Sequence, residues 1–153
     1  MALITGAASG IGRAIAHTFV REGCTRLILG DINFEGLSAV TEELKGLDAD
    51  VQTCNVKCDT SSEEEVQSMI DQGVSMFGEL HYAVNNAGIT SNPRVRTHEL
   101  SSEAWDKVHN VNLKGVWFCQ RAEIRQMLKQ EPSVSQRYGN KDTGQLTVNL
   151  LLF

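Results

Sequence analysis

The stretch Thr5-Gly6-Ala7-Ala8-Ser9-Gly10-Ile11-Gly12 has the residue types of an anion-binding turn. It follows the short apolar run Ala2-Leu3-Ile4, which reads as a strand, and opens a segment with Ile11, Ile15 and Phe19 on one helical face. The first amides of a helix have no intrahelical partners, and the helix dipole adds partial positive charge beside them. Gly6 suits a turn that needs positive φ. Gly10 lets backbone approach a diphosphate, and Gly12 allows close packing of helix and strand. The spacing is Gly-x-x-x-Gly-x-Gly, not Gly-x-Gly-x-x-Gly, and the absence of a following Gly-Lys-Ser/Thr excludes a P-loop. The alternative is a glycine turn without a ligand.

A second acceptor stands further on. Arg26-Leu27-Ile28-Leu29 reads as a buried strand that ends, past Gly30, at Asp31. An acidic residue there, about 20 residues past the glycine turn, can accept hydrogen bonds from ribose hydroxyls. It would repel a 2′-phosphate, and no Arg follows it. The alternative is an Asp that caps the next helix. Further along are Asn85-Asn86-Ala87-Gly88 and Asn110-Val111-Asn112-Leu113-Lys114-Gly115.

Taken together, Thr-Gly-x-x-x-Gly-Ile-Gly, Asn-Asn-Ala-Gly and Asn-Val-Asn-Leu-Lys-Gly resemble the short-chain dehydrogenase/reductase family, from residue 2 to about residue 128. The resemblance implies an oxidoreductase that moves hydride between an alcohol or ketone and a nicotinamide dinucleotide. It implies cofactor contacts at Gly6, Ser9, Gly10, Ile11 and Gly12 in the turn, and at Asp31, the position that separates NAD from NADP users. Asp59 falls where the family contacts the adenine amino group, followed by Thr60, with helix-start residues as the alternative reading. Asn85, Ala87 and Gly88 leave the fourth strand beside a ribose. Asn112 matches the family's catalytic Asn, which holds a water in a proton relay; a core Asn satisfied by its neighbours is the alternative. NAD is the expected cofactor over NADP.

The elements that must position these residues follow the hydropathy pattern. Leu37, Val40, Leu44 and Leu47 recur at helical spacing, and Val51 to Val56 alternates as a third strand. Ser61 with Glu64 reads as a capping box, ahead of a stripe of Val66, Met69, Ile70, Val74 and Phe77. Tyr82-Ala83-Val84 is a fourth strand. After a polar loop over 89–100, whose His98 reads as a surface residue, Ser101 starts a helix, and a long helical pattern continues through residue 128. Trp105 and Trp117 read as core or helix-interface residues. The fold class is α/β, a doubly wound Rossmann-type parallel sheet ordered 3-2-1-4-5, in one dinucleotide-binding domain over 1–153, with the cofactor crevice where the order reverses.

From Glu131 to Gly144 the sequence turns polar, and residues 145–153 read as an apolar fifth strand. Val148-Asn149 resembles the family's strand-five Val-Asn, which places Leu152 at the family's catalytic Ser and the Tyr-x-x-x-Lys beyond residue 153. Tyr138 and Lys141 are a poor substitute, being three apart in a Gly- and Asn-rich loop instead of one turn apart on a helix. The resemblance therefore implies a chain cut within strand five, incomplete on its C-terminal side. The expectation is dinucleotide binding without family-like turnover. The alternatives are a non-catalytic nucleotide-binding module and a truncated product without function. A homo-oligomer through the helix 109–128 is expected.

Composition sets the remaining bounds. With 41% hydrophobic and 22% charged residues, the 153-residue chain has an ordinary globular balance. A net charge of −5 argues against general affinity for nucleic acid or anionic membrane. No apolar run approaches the roughly 20 residues that span a bilayer, and Met1 leads directly into the first strand, so a cytoplasmic protein is expected. Cys24, Cys54, Cys58 and Cys119 have no metal-like spacing and read as thiols in a reducing compartment.

Overall fold

A computed structural model describes residues 1–91 and 95–131 and the backbone of a strand at 146–149. The strands are β1 (Ala2–Thr5), β2 (Arg26–Asp31), β3 (Gln52–Lys57), β4 (Tyr82–Asn85) and β5 (Leu146–Asn149). They form one parallel sheet ordered β3-β2-β1-β4-β5, as the sequence predicts. The helices are α1 (Gly10–Arg21), α2 (Phe34–Leu47), α3 (Glu63–Phe77), α4 (Ser102–His109) and α5 (Val116–Met127). The readings that fall on 132–145 and 150–153, including Tyr138, Lys141 and Leu152, lie outside the described residues, as do residues 92–94 of the polar loop.

Successive strand residues face opposite sides, and here both sides are covered. Leu3, Ile28 and Ala83 pack in one apolar layer with Val66, Met69 and Ile70 of α3 and Phe118 and Ala122 of α5. Their neighbours Ile4, Leu27, Leu29 and Val84 pack in the other, with Ala16 and Val20 of α1 and Leu37, Val40 and Leu44 of α2. This two-sided burial explains why the strands read as continuous apolar runs. Leu47, at the end of the α2 stripe, stays exposed because the helix ends there.

Caps decide where the helices begin. Asn33 accepts a hydrogen bond from Gly36 N at 3.0 Å, and Ser101 accepts one from Ala104 N at 3.2 Å. At α3 the cap is Ser62, which accepts from Glu65 N at 3.3 Å, and not the predicted Ser61. Ser61 is held by Asp59 instead: both its amide (2.9 Å) and its hydroxyl (2.7 Å) donate to Asp59 Oδ1. The Glu65 carboxylate closes the turn by accepting from Asp59 N at 2.8 Å. Ser62→Ala should lower stability by about 0.5–2 kcal/mol, and Ser61→Ala by less. Urea unfolding of the two variants, followed by circular dichroism, checks the order.

The long helix predicted through residue 128 is divided. Between α4 and α5, residues Asn110–Gly115 form a π-helical segment, a geometry often found at functional sites. The two tryptophans are not core residues: Trp105 is 51% and Trp117 is 50% exposed. Each is covered within its own helix by the residue four positions on, which suffices without burial. Trp105 stacks on His109 at 4.0 Å between ring centroids, and Trp117 lies under the Arg121 guanidinium at 4.3 Å.

Candidate functional site

The sheet order reverses between β1 and β4, and the loops leaving their C-terminal ends part there. They leave a crevice of about 710 Å³, within the size range of ligand pockets. The glycine turn forms one wall. Gly6 and Gly10 have φ of 67° and 52°, values that only glycine adopts without strain. Nothing lies within 4 Å of a Cβ built at Gly10, so the chain there faces open space. Gly12 works from beneath. It is buried, and a Cβ on it would overlap the Gly6 carbonyl and lie 2.6 Å from Asn86 Nδ2. The close approach that Gly12 permits is thus to the turn itself, where the sequence suggested the strand. Ser9 caps α1 in an extended conformation with no side-chain hydrogen bond, and no acidic residue occupies the first turn. Ile11 is 49% exposed and lines the crevice instead of joining Ile15 and Phe19 against the core.

Asp31 sits at the end of β2 with its carboxylate shared between two backbone amides. Oδ2 accepts from Ala8 N at 3.0 Å and Oδ1 from Asn33 N at 2.9 Å. A carboxylate has about four acceptor sites, so two bonds leave capacity toward the crevice that it lines. Asp59 and Thr60 line the same end. Asp59 Oδ1 is engaged by Ser61, while Oδ2 makes no hydrogen bond among the described residues.

The opposite wall comes from β4 and its loop. Thr5 Oγ1 accepts from both Asn86 N and Ala87 N at 3.1 Å, and Asn86 Nδ2 donates to the carbonyls of Thr5 (3.0 Å) and Gly6 (3.3 Å). Asn86 therefore clamps β4 to the glycine turn, and Ala87 and Gly88 line the crevice beyond it. Asn85 is placed differently from its predicted role. Its side chain is buried beneath the sheet's end, where Nδ2 donates to Glu123 Oε2 at 3.0 Å, and it does not line the crevice.

Asn112 lies on the π segment and is buried. Its Oδ1 accepts from Ile89 N and its Nδ2 donates to Ile89 O, both at 2.9 Å, so the side chain braces the loop after β4 against the helices. Gly115 ends the segment against the Thr60 backbone, where a Cβ would stand 2.8 Å from the Thr60 carbonyl oxygen. The π segment thereby touches the loop after β4 and the loop after β3, both of which line the crevice.

Several lining residues carry no sequence signal of their own. Ile32 and Thr90 sit in loops, and Lys107, Val108 and Val111 follow the helical period around to the crevice side. Cys58 also lines it, and burial, followed by the nearby Glu65 and Asp59 charges, pushes its thiol up to about 12, so it is neutral and unreactive there. A broader open groove along α3 is lined by Glu63, Glu64 and Asp71, which would repel a diphosphate.

A parallel doubly wound sheet, with a glycine turn at its switch point and an acidic residue ending the neighbouring strand, has Rossmann-type α/β architecture. Residues 1–134 match the short chain dehydrogenase family, and the chain belongs to it. It is 41% identical over 116 residues to an uncharacterized oxidoreductase of Mycobacterium tuberculosis, covering 76% of this chain and 44% of that one. Among solved structures, an alcohol dehydrogenase from Thermococcus sibiricus in complex with 5-hydroxy-NADP superimposes with a TM-score of 0.80 at 30% identity, over 97% of this chain and 56% of that one. A 3-ketoacyl-(acyl-carrier-protein) reductase from Brucella melitensis in complex with NADH gives a TM-score of 0.75 at 32% identity, over 84% and 50%. The chain spans about half the length of the curated relatives it matches. Among the described residues, no helix is long and apolar enough to cross a membrane.

Proposed function

We propose that the chain binds NAD(H) in the crevice between β1 and β4, in preference to NADP(H), and so supplies the cofactor-holding part of an alcohol–ketone oxidoreductase. The observation that carries this reading is the pairing, in one crevice, of an α1 N-terminus without a side-chain cap and an Asp31 carboxylate with acceptor capacity to spare. The amides of Ser9 to Gly12 would take the diphosphate and Asp31 the adenosine ribose hydroxyls. Asp59 and Thr60 would border the adenine, and Ala87 and Gly88 the second ribose. When bound, the nicotinamide supplies a hydride acceptor or donor. Asn112 contributes by fixing Ile89, and with it the loop on that side of the crevice.

Titration of the 153-residue chain with NADH, followed by nicotinamide fluorescence, tests the reading. Saturable binding is expected, tighter than for NADPH. No saturation at millimolar NADH would overturn it.

The protein is also proposed to be cytoplasmic and to self-associate, with all 153 residues in one domain. Cys24, Cys54, Cys58 and Cys119 are all free thiols, which suits a reducing compartment. Leu113, Trp117, Ile124 and Leu128 are exposed along the 110–128 segment, an apolar stripe of the kind buried between subunits. Combined Leu113→Lys and Leu128→Lys substitution should reduce the mass measured by sedimentation velocity to that of a monomer. An unchanged sedimentation coefficient would exclude this face.

A further inference from the structure

Glu123 is the most deeply buried charged-type residue among those described, with 0% exposure on α5 between Ala122 and Ile124. A carboxylate in such a position needs a cation or several donors. It has neither. Oε2 accepts a single hydrogen bond, from Asn85 Nδ2 at 3.0 Å, and Oε1 has no partner among the described residues. The α3 residues buried in the core, Val66, Met69, Ile70, Gly73 and Phe77, bring no charge to the layer shared with α5. The other ionisable groups in or against that layer are three thiols and the Met1 amino group. The thiols of Cys119, one turn earlier on α5, of Cys58 and of Cys54 are all pushed up by burial and therefore neutral. The Met1 amino group bonds to His81 Nδ1 at 3.3 Å and is pushed down by burial. Glu63 of α3 pairs with Arg121 on α5, and both are partly exposed. The β4 residue in contact, Asn85, carries no charge, and its register partner on β5 is Asn149. Desolvation pushes the Glu123 carboxyl up to about 7, opposed in part by the Asn85 bond.

The position gives this carboxyl a lever. Asn85 is the last residue of β4, and Asn86, next in the chain, is the clamp that joins the strand to Thr5 and Gly6. Glu123 is thus one residue removed from the wall of the crevice. In its neutral form it asks only for the amide bond it already has and one acceptor for its proton. Ionised, it leaves a full charge with one neutral donor, and α5 must shift or admit water to relieve it. A bound diphosphate would add like charge beyond the same strand end.

We propose that Glu123 is a positioning residue for dinucleotide binding: while protonated it fixes Asn85 and so the Asn86 clamp on the glycine turn, and release of its proton to solvent weakens binding. This rests on the reading of the crevice as a dinucleotide site.

The test is NADH affinity from pH 6 to 8.5 for the unmodified chain, Glu123→Gln and Glu123→Leu, with thermal melting of each without NADH. In the unmodified chain, the dissociation constant should rise about five- to tenfold as pH passes through about 7. Glu123→Gln, neutral at every pH, should hold the low-pH affinity throughout. Glu123→Leu, which cannot bond Asn85, should bind weakly at every pH. Melting supplies a second reading, since the folded carboxyl is raised above its unfolded value of 4.5. The stability tied to it is full below pH 4.5 and is lost as pH rises to about 7, a slope absent from Glu123→Gln. A pH dependence of affinity that persists in Glu123→Gln belongs to another group, such as a histidine, and overturns the inference. So does a flat profile in the unmodified chain, which also decides the matter should a variant not fold. If NADH binds no form at any pH while melting shows the Glu123 slope, the dinucleotide reading itself has failed, and this inference with it.

Discussion

Replacing Gly12 by alanine should abolish tight dinucleotide binding and destabilise the fold, although alanine is the better helix former. In an open helix position the exchange gains about 1 kcal/mol. At Gly12 the new Cβ would overlap the Gly6 carbonyl, which belongs to the backbone and has no rotamer through which to escape. The start of α1 must then move away from the turn, at a cost of about 1–3 kcal/mol for overpacking. That motion misaligns the amides that would meet the diphosphate, and charge-assisted hydrogen bonds are worth about 1.5–3 kcal/mol each, so affinity should fall by about 10–100-fold. Two control substitutions separate this cause from others. Gly46→Ala on α2 meets nothing within 4 Å and should be neutral or stabilising. Gly10→Ala also meets nothing, but its φ of 52° should cost about 1–2 kcal/mol of strain. Thermal melts and NADH titrations of the three variants give the ranking. Equal behaviour of Gly12→Ala and Gly46→Ala would show that the turn is not packed as described.

Which parts of this molecule were legible depends on how local their cause is. The sheet order follows from strands alternating with crossover helices, and the fully apolar runs at Leu27 to Leu29 and Ala83-Val84 already imply cover on both faces. The glycine turn was legible because its chemistry is contained within eight consecutive residues. The α3 cap was misplaced by one residue because Ser61 and Ser62 both have acidic residues three positions on. What decided between them was Asp59, which holds Ser61 from outside the motif. The division of the long helix was not legible, since Leu113, Val116 and Trp117 suit an α-helical stripe. The π segment accompanies Asn112 bonding to Ile89, twenty-three residues away, a partner no local pattern reveals. Glu123 was missed for the same reason. Within Gln120-Arg121-Ala122-Glu123-Ile124-Arg125 it reads as one more solvated charge, and only the tertiary placement of α5 against β4 buries it. Asn85 and Asn86 illustrate the limit from the other side: adjacent and identical in type, they point to opposite tasks, one into the core and one across the turn.

Cofactor choice should turn on Asp31, and the size of the effect distinguishes charge from shape. In the unmodified chain NADH is expected to bind more tightly than NADPH, because a 2′-phosphate brought to this carboxylate meets like charge as well as losing a ribose hydrogen bond. Replacing Asp31 by alanine would remove the charge but also the acceptors of Ala8 N and Asn33 N, so the turn itself would loosen. Asp31→Asn is the cleaner change. It removes the charge while keeping the side-chain shape and one of the two acceptors, so that a single backbone donor, Ala8 N or Asn33 N, is left facing the new amide NH2. NADH should weaken by about 1.5–3 kcal/mol, the worth of a hydrogen bond to a charged acceptor, or about 10–100-fold. NADPH should weaken less or improve, so the preference narrows from both ends. Salt gives an independent check. With a Debye length of about 10 Å at 0.1 M and about 3 Å at 1 M, high salt screens repulsion but leaves a neutral hydrogen bond in place. The NADH preference of the unmodified chain should therefore shrink as salt rises, while that of Asp31→Asn stays constant. Tighter NADPH than NADH binding by the unmodified chain would refute the assignment. A preference unaffected by both the substitution and salt would move the discrimination to the other charged residues that line the crevice, Asp59 and Lys107.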